Sequence, residues 1–551
     1  MSDKPSGGIW QGAITYFYGS WWIYFSAGGQ WFCKADSPYG PWSDPVEVKT
    51  NPETGPLGYD NSIFVDDDGR PYMVIKNMQY INRLQELGLD GQLTGKVINL
   101  DWINAKKQYS WAEGPVMCKR NGYYFYFPAG DVSGGQYVLR TRELTADSTK
   151  WERLGNFFKP ITDDAVGFRR PNHIAAPLQL ADGSWWTIGQ SYEKYGADDW
   201  YGTGRQTSLY PVIWEGDRPW GMAPTTQPIV KPDLPSSGIS WRSVCSDYFD
   251  AEKLGLCWHF LNQKGYSRCS QTARPGWVRI LADSARTHLV QKETDHYYSA
   301  ITKLDFDANT NSEKAGIYMT NGNEQVNLQL YSGFDGRKEI VLKFKDIVRT
   351  IPNTFGKILF LKIVRYKHEI TGFCSSDGQK WISVGAPVNV SDLDKEQPNF
   401  NSWVGTSIGL FAEGKPADFD CFICKDAFSD LSALGYSNYY ALKKAENSAV
   451  TNTSENGGWM MISGVDLGKN EAKSVQLTIS SMRKCKLVLK LDSLKNGKTI
   501  AILPVSPTGG KDKFKTVSVK VDALSGQHDL FVQFPAGNPG DVYLKGIKFL
   551  K

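Results

Sequence analysis

A hairpin unit recurs four times in the first 190 residues and limits the possible folds of this chain more than any other feature. The turn of each unit is centred on a glycine, at Gly19, Gly69, Gly122 and Gly183, so the period is 50 to 61 residues. Aromatic residues follow each turn at Trp21, Tyr72, Tyr123 and Trp185. Repeats of this length, built from short strands, are typical of propeller blades. The pattern therefore predicts a β-propeller with four visible blades.

Chemically active residues occupy the same register in these units. Trp10, Asp60 and Glu113 each lie nine residues before a turn glycine, and His173 lies ten residues before one. Equivalent positions of successive blades converge around the axis of a propeller. The sequence therefore predicts one site that contains an indole, two carboxylates and an imidazole.

Composition narrows the class of ligand. Aromatic residues make up 13% of the chain, with 19 Trp, and the formal net charge is only +4. A nearly balanced charge does not favour nucleic acid or an anionic membrane as a partner, and we expect neither. Trp and Tyr in excess suit an all-β protein that stacks its rings on sugars, although aromatic packing inside hairpin cores is the simpler explanation for most of them.

Cysteine and histidine give no sign of a metal centre or a disulfide framework. The nine Cys are an odd number spread over a long chain, so no disulfide framework is implied. Cys421 and Cys424 form a single C-x-x-C in a strand-like run, and we expect structural thiols there rather than a metal or redox site. The six His are scattered without the paired spacing of metal ligands. No apolar segment reaches the roughly 20 residues of a membrane span.

A chain of 551 residues is too long for one core, and the patterns divide it into domains. We assign residues 1–225 to the propeller and residues 226–240, rich in Pro, Thr and Ser, to a linker. Residues 241–430 and 436–551 alternate short strand patterns with turns and show no helix-length periodicity, which predicts two β-sandwich domains of jelly-roll or concanavalin-like form. The predicted fold class is therefore all-β.

Five ordered motifs of the first region are Gly8-Ile9-Trp10, Tyr59-Asp60-Asn61-Ser62, Glu113-Gly114-Pro115, His173 and Gly204-Arg205-Gln206-Thr207. They resemble the motifs of glycoside hydrolase family 43, the five-bladed propeller enzymes that include β-xylosidases and α-L-arabinofuranosidases. Recognisable pieces of the later regions are Thr272 to Trp277, Ala417 to Asp420, Gly458-Trp459 and Ser525 to Leu530. The first two pieces are similar to the concanavalin-like sandwich of the family's β-xylosidases, and the last two are weakly similar to a family 6 carbohydrate-binding module.

The resemblance implies a role for each motif residue. Glu113 matches the general acid, and Asp60 matches the carboxylate that modulates its pKa. Arg205 matches a substrate-binding arginine, and Trp10 and His173 are expected to line the sugar site. A general acid must be protonated, so we expect the pKa of Glu113 to be raised by like-charge repulsion from Asp60.

Structural alternatives exist for these residues. Trp10 could pack between blades, Arg205 could form a salt bridge at the blade rim, and Asp60 could form an Asx turn. Glu113 could be a surface acid at the start of a strand. His173 could anchor the water shell of a Ca²⁺ ion in the propeller channel, as in some relatives, or hydrogen-bond within the core. We expect no cofactor to be required.

The general base is the residue that the sequence does not supply. In family 43 a first blade precedes the Trp motif and carries the aspartate that acts as base, whereas nine residues precede Trp10 here. We therefore expect the base to lie outside this chain, and the chain to hydrolyse pentosides at least about a hundredfold more slowly than a version extended by that blade. A catalytically impaired carbohydrate-binding relic is the alternative.

The predicted function is that of an exo-acting, inverting glycoside hydrolase that releases xylose, arabinose or both from xylan-derived oligosaccharides or arabinoxylan side chains. The expected partner is plant cell-wall polysaccharide. An extracellular or periplasmic location is favoured if the full-length gene encodes a signal peptide.

Overall fold

The computed structural model describes an all-β chain in two compact units. The described residues are 8–50, 57–77, 81–103, 112–130, 135–163, 166–195, 198–199, 201–226, 229, 245–261, 263–395, 404–469 and 472–551. Of these, 8–199 and 205–229 form one unit, and 201–204 and 245–551 form the other. Most of the linker expected at 226–240 lies outside the described residues.

Helices are few and short in the described part of the chain. The one α-helix spans Ser391–Asp394. None of the helices described is both long and apolar enough to cross a membrane. The 3-10 helices span Asp101–Ile103, Ser148–Lys150, Tyr201–Thr203, Gln263–Arg268 and Ala433–Gly435.

The first unit contains four antiparallel sheets, which confirms the four predicted blades. We number the four blades of this chain 1 to 4 in sequence order. In blades 1 to 3 each strand pairs with the next one in the chain, as a propeller requires. Blade 1 comprises β1 (Trp10–Phe17), β2 (Ser20–Ser26), β3 (Gln30–Ala35) and β4 (Val46–Glu47). Blade 2 comprises β5 (Ser62–Val65), β6 (Pro71–Asn77), β7 (Ile81–Leu87) and β8 (Leu93–Asn99). Blade 3 comprises β9 (Glu113–Arg120), β10 (Tyr123–Ala129), β11 (Tyr137–Thr141) and β12 (Glu152–Asn156).

Blade 4 has the order β13-β15-β17-β18, with two short strands, β14 and β16, paired to β15. Its strands are β13 (Phe168–Asn172), β14 (Leu178–Gln179), β15 (Trp185–Tyr195), β16 (Asp198–Asp199), β17 (Arg205–Glu215) and β18 (Arg218–Gly221).

An Asn-Gly turn closes the first hairpin of blade 3. Asn121 and Gly122 both have positive φ, at 51° and 73°, so the chain reverses in two residues and Tyr123 pairs with Arg120. Positive φ at both central positions is the requirement of a type I′ turn, which Asn-Gly meets at little cost. The β9–β10 hairpin is therefore fixed by local sequence.

Aromatic side chains fill the spaces between blades. Trp22 and Tyr24 of β2 are buried with Phe32 of blade 1 and with Met73 and Ile75 of blade 2. Similar clusters join blades 2 and 3, around Tyr126, and blades 3 and 4, around Phe125. Packing between blades therefore accounts for much of the aromatic content.

The two terminal blades each present apolar side chains to solvent. In blade 1, Ile14 and Tyr16 of β1 are 56% and 52% exposed. In blade 4, Ile188, Leu209 and Ile213 are 52%, 47% and 44% exposed. The outer faces of the described four-blade unit therefore have the apolar character of faces that pack against a neighbour.

The second unit contains two β-sandwiches, which confirms that part of the fold prediction. The first sandwich packs an eight-stranded sheet, ordered β19-β20-β32-β22-β27-β28-β29 with β30 paired to β28, against a six-stranded sheet ordered β21-β31-β23-β24-β25-β26. Its first strands are β19 (Cys269–Ser270), β20 (Val278–Ile280), β21 (Thr287–Lys292), β22 (Tyr297–Asp305), β23 (Lys314–Thr320), β24 (Asn327–Phe334) and β25 (Lys338–Phe344). The others are β26 (Ile347–Pro352), β27 (Ile358–Tyr366), β28 (Glu369–Ser375), β29 (Ile382–Ser383), β30 (Val388–Asn389), β31 (Ser407–Glu413) and β32 (Ala417–Cys424).

The last sandwich packs a six-stranded sheet, ordered β35-β36-β43-β38-β41 with β33 paired to β43, against a five-stranded sheet ordered β34-β37-β42-β39-β40. Its strands are β33 (Leu431–Ser432), β34 (Asn438–Tyr440), β35 (Leu442–Lys444), β36 (Val450–Asn452), β37 (Gly458–Asp466), β38 (Ala472–Ser481), β39 (Cys485–Leu491), β40 (Thr499–Val505), β41 (Lys515–Leu524), β42 (Gln527–Phe534) and β43 (Val542–Leu550).

A buried ionic network supports the first sandwich. Arg365 of β27 is 1% exposed and lies 2.6 Å from carboxylate oxygens of both Glu293 and Asp394. His368 and Tyr298 contact the same two carboxylates, at 2.7 and 2.6 Å. Two buried carboxylates therefore depend on one guanidinium for their charge balance.

We expect Arg365→Met to lower the free energy of unfolding of this sandwich by about 3–5 kcal/mol, because it would leave Glu293 and Asp394 buried without their cation. Denaturant unfolding of the full chain measures the change. As a control, Arg279→Met removes a partly exposed partner of Asp418, which keeps Arg274 at 3.1 Å, and should cost no more than about 1 kcal/mol. Equal losses in the two variants would contradict the assignment.

Candidate active site

Functional side chains from three blades lie close together. Asp60 lies two residues before β5, Glu113 is the first residue of β9, and His173 directly follows β13. Ligand atoms of these three side chains all lie within 4.8 Å of one another. The structure therefore contains the convergence that the shared register predicts.

The backbone at this point adopts an uncommon conformation. Asp60 and His173 have φ of 61° and 46°, and Ala112, which precedes Glu113, has φ of 48°. Left-handed backbone is rare for residues other than glycine and gathers at functional sites, where the surrounding structure maintains it. In each of the three blades it occurs at or directly before the functional residue, just before β5 and β9 and just after β13.

Glu113 is the centre of the polar contacts. Its carboxylate accepts a hydrogen bond from the Tyr59 hydroxyl at 3.4 Å and lies 3.5 Å from Lys76 Nζ and 3.4 Å from His173 Nε2. The side chain is 15% exposed, so it is partly accessible from solvent. Glycine at 114 keeps the space clear, because a Cβ there would lie 3.1 Å from the His173 ring.

Lys76 is a member of the site that the sequence analysis missed. Its side chain is completely buried in β6, and Nζ lies 4.0 Å from the centroid of the Tyr59 ring. Burial lowers the pKa of Lys76, while the charges of Glu113 and Asp60 act in the opposite direction. The available signal was a lysine at the end of the apolar run Tyr72 to Ile75, where a solvated charge is not expected.

The expected elevation of the Glu113 pKa is wrong for this structure, which instead holds that pKa below its usual value. Burial raises it, but the 3.4 Å contact with His173 and the positive charges of Lys76, His173 and Arg205 outweigh burial. The cations around Glu113 therefore favour its ionised form.

Asp60 is the carboxyl group whose pKa is raised. Burial is the largest cause, and the negative charge of Glu113 adds to it, whereas His173, Lys76 and Arg205 oppose the shift. Two carboxylates this close interact strongly, so the pair titrates as a unit. Because the pKa of Asp60 is raised and that of Glu113 is lowered, Asp60 is the more basic carboxylate of the pair.

Tyr59 is held in its neutral form beside these acids. Burial, followed by the charges of Glu113 and Asp60, raises the pKa of the Tyr59 hydroxyl to about 12. The hydroxyl therefore keeps its proton and can donate it in the hydrogen bond to Glu113.

Both ring nitrogens of His173 face protein groups. Nδ1 lies 3.1 Å from the Gln190 amide nitrogen, which also donates to the Asn172 side chain at 2.6 Å, and Nε2 faces Glu113. These contacts favour the hydrogen-bonding alternative for His173. One imidazole and two carboxylates beside two cations do not fit the six to eight oxygen ligands that Ca²⁺ takes, so direct Ca²⁺ ligation is not supported. A Ca²⁺ ion held through water stays a prediction.

Trp10 and Arg205 border the same site. The Trp10 ring is 43% exposed and lies 5.4 Å from the Tyr59 ring at an angle of 58°. Arg205, the first residue of β17, donates through Nε to the Tyr192 hydroxyl at 3.1 Å. The positive charge of Arg205 lowers the pKa of both Asp60 and Glu113, so Arg205 interacts electrostatically with both carboxylates. The contacts and charges of Trp10 and Arg205 therefore connect both residues to the group formed by Asp60, Glu113 and His173.

This arrangement limits the chemistry that the carboxylates can perform together. An inverting glycosidase needs its acid and its base about 6.5 to 9.5 Å apart, so that a water molecule fits between base and sugar. The oxygens of Asp60 and Glu113 lie within 4.8 Å of one another. The pair is thus suited to sharing or tuning one proton, and not to acting on opposite faces of a sugar.

Comparison with known families agrees with this geometry. Residues 1–219 match the family model of glycosyl hydrolases family 43. Residues 246–425 match the beta xylosidase C-terminal concanavalin A-like domain, and residues 432–551 match carbohydrate binding module family 6.

Individual relatives extend over most of the chain. A xylan 1,3-beta-xylosidase of a Vibrio species is 25% identical over 490 residues, which cover 77% of this chain and 87% of the relative. A non-reducing end alpha-L-arabinofuranosidase of Bacteroides ovatus is 25% identical over 463 residues, covering 76% and 82%. The crystal structure of the GH43 BlXynB protein from Bacillus licheniformis is 26% identical, has a TM-score of 0.65 and covers 76% of this chain and 86% of that one. The chain is therefore similar to glycosyl hydrolase family 43 enzymes through residues 1–219, to a β-xylosidase C-terminal concanavalin A-like domain through residues 246–425, and to a family 6 carbohydrate-binding module through residues 432–551.

Proposed function

We propose that this protein is an exo-acting, inverting glycoside hydrolase that releases xylose or arabinose from xylan-derived oligosaccharides or arabinoxylan side chains. The observation that carries the proposal is the meeting of Asp60, Glu113 and His173 within 4.8 Å, in a family 43 domain. Relatives named as β-xylosidases and α-L-arabinofuranosidases support the choice of pentose substrates.

Glu113 is the general acid in this proposal, because its side chain is partly exposed and matches the general-acid motif of family 43. It would protonate the glycosidic oxygen as the bond to the leaving sugar breaks. Asp60 is the second carboxylate of the proton-sharing pair. Its proximity to Glu113 and its raised pKa support a role in tuning the proton on Glu113 rather than in activating water.

The other residues would orient the sugar. Trp10 offers an exposed ring on which a pentose can stack, and Arg205 offers a fixed fork of donors for sugar hydroxyls. Lys76 supplies positive charge against Glu113, which favours return of that carboxylate to its ionised form after proton transfer.

The identity of the pentose is open between xylose and arabinose. Both sugars present similar hydroxyl geometry to one pocket, so neither the residues nor their contacts separate them. Parallel assays of an aryl β-xyloside and an aryl α-L-arabinofuranoside give the ratio of kcat/KM, and that ratio assigns the substrate.

A carbohydrate-binding protein with impaired catalysis is a second candidate. It is supported because the site formed by the described residues contains an acid and its modulating carboxylate, whereas Asp60 is too close to Glu113 to be the base of an inverting pair. Calorimetric titration with xylobiose together with an assay of released pentose separates the candidates. Binding without release supports the second, and release that depends on Glu113 supports the first.

The module at residues 432–551 would hold polysaccharide near the enzyme domain. On the outer face of its five-stranded sheet, Tyr440 pairs with Trp459, whose ring lies 5.9 Å from that of Phe531. Tyr440 is 42% exposed and Trp459 is half-buried, so these two rings could stack on a sugar, whereas Phe531 is buried and supports Trp459. The matched family supports this use of the module.

We expect Glu113→Gln to lower kcat on xylo-oligosaccharides by about 100-fold to 10,000-fold, because the amide cannot donate the proton that the leaving oxygen needs. A substrate with a nitrophenol leaving group needs little protonation, so its kcat should fall much less. Steady-state kinetics on both substrates measures the difference. Glu143→Gln, which changes a surface carboxylate paired with Lys150, is the matched control and should retain wild-type kcat. Equal losses on both substrates would refute the general-acid role.

We expect Lys76→Met to move the alkaline limb of the pH–rate profile to higher pH. The charge of Lys76 lowers the pKa of both Glu113 and Asp60, so its removal raises both values and keeps the proton on the pair at higher pH. The pH dependence of kcat/KM measures the shift.

Lys119→Met is the control for that experiment. Lys119 pairs with Asp66 and Asp67 at 2.8 and 2.7 Å, near the turn ends of blades 2 and 3. Its loss should leave the alkaline limb where it is. An unmoved limb in Lys76→Met, or a shift toward lower pH, would contradict the assigned electrostatic role.

A further inference from the structure

Two cysteines far apart in sequence face each other in the first sandwich. Asp247 and Phe422 form an isolated antiparallel bridge, with N–H to O distances of 2.8 Å in both directions. Cys245 precedes Asp247 by two residues, and Cys424 follows Phe422 by two residues. Continuing the antiparallel register therefore places the two cysteines opposite each other. The two thiols are in hydrogen-bonding contact.

Surrounding hydrogen bonds hold this pair in place. The Ser246 hydroxyl donates to the Cys424 carbonyl at 3.2 Å and accepts from the Cys424 amide at 3.0 Å. The Gln291 side-chain amide donates to the Cys245 carbonyl at 2.6 Å and lies 4.0 Å from Cys424 Sγ. The positions of both cysteines are therefore fixed by neighbours that do not depend on a bond between the sulfur atoms.

The two thiols differ in exposure and acidity. Cys245 is partly exposed, whereas Cys424 is buried, and both line a small cavity of about 20 Å³ that Asp295 and Lys425 also line. The hydrogen bond from Cys424, aided by the charge of Lys425 and opposed by burial, lowers the pKa of Cys245. The same hydrogen bond and burial raise the pKa of Cys424 well above its usual value. Cys245 is thus the thiol suited to react first.

Cys421 cannot take the place of Cys245. Residues three apart on a strand point to opposite faces, and the regular pairing of Cys421 to Cys424 with β22 shows that this part of β32 is a continuous strand. Cys424 belongs to the apolar core of the sandwich together with Phe422, and Cys421 does not. Cys421 and Cys424 therefore do not form a redox pair despite their C-x-x-C spacing. The partner of Cys424 is Cys245, at the other end of the domain.

We propose that Cys245 and Cys424 are a disulfide-forming pair that a small-molecule disulfide such as oxidised glutathione converts to a cross-link. The Cys245 thiolate attacks one sulfur of the reagent and releases one thiolate, which gives a mixed disulfide on Cys245. Cys424 then loses its proton and attacks the Cys245 sulfur, which releases the second thiolate. The dithiol loses two electrons, and the reagent is reduced to two thiols.

The cross-link would join the first described segment of the sandwich to β32, its last strand. It would close a loop of nearly the whole domain, and long loops are those for which the loss of unfolded-state entropy is largest. We expect the thermal midpoint of this sandwich to be higher in the oxidised protein than in the reduced one by about 4 °C or more.

The test counts thiols in the full chain after equilibration with reduced or oxidised glutathione. The reduced protein has nine thiols under denaturing conditions, and we expect seven after oxidation. A non-reducing peptide map should contain the peptides of Cys245 and Cys424 joined, with a mass two hydrogen atoms below their sum. Nine remaining thiols, or a stable glutathione adduct on Cys245, would overturn the proposal.

Matched variants identify the pair. Cys245→Ser should keep its eight thiols under oxidation, whereas Cys421→Ser should fall from eight to six. Loss of the cross-link in Cys421→Ser, with retention in Cys245→Ser, would overturn the assignment. If a variant does not fold, the peptide map of the wild-type chain decides by itself.

Discussion

The balance of buried charge around Glu113 is the interaction on which the candidate active site depends. Two carboxylates within 4.8 Å are tolerated because Lys76, His173 and Arg205 surround them with positive charge or donors. Each of these residues comes from a different strand, so the blades must hold their relative positions for the charges to cancel. The aromatic packing between blades serves the site in this way, although few of those rings touch it.

The same principle operates in the first sandwich with a different outcome. Arg365 is enclosed by two carboxylates and has no open side, so its network stabilises the domain and offers no place for a ligand. The Glu113 side chain, by contrast, is 15% exposed. Both clusters combine carboxylates with cations. They differ in whether solvent or a ligand can reach the charged groups.

Much of the fold and the core of the site could be predicted from sequence, because turn glycines and strand patterns fix the blade register locally. That register is enough to bring Asp60, Glu113 and His173 together. It could not reveal Lys76, which comes from the second strand of a blade and looks like the end of an apolar run. Missing that cation also gave the wrong direction for the Glu113 pKa. The Cys245–Cys424 contact was hidden because pairing across 179 residues leaves no local pattern.

Left-handed backbone occurs at or directly before the functional residue of three successive blades, at Ala112, Asp60 and His173. The geometry that turns a side chain toward the axis is thus a property of the blade and not of the particular residue it presents. A lineage of such domains can exchange carboxylate, imidazole or amide at these places by single substitutions, without rebuilding a strand. Asn and Asp adopt this backbone more readily than β-branched residues, so the evolutionary routes open to the site are biased toward short polar side chains.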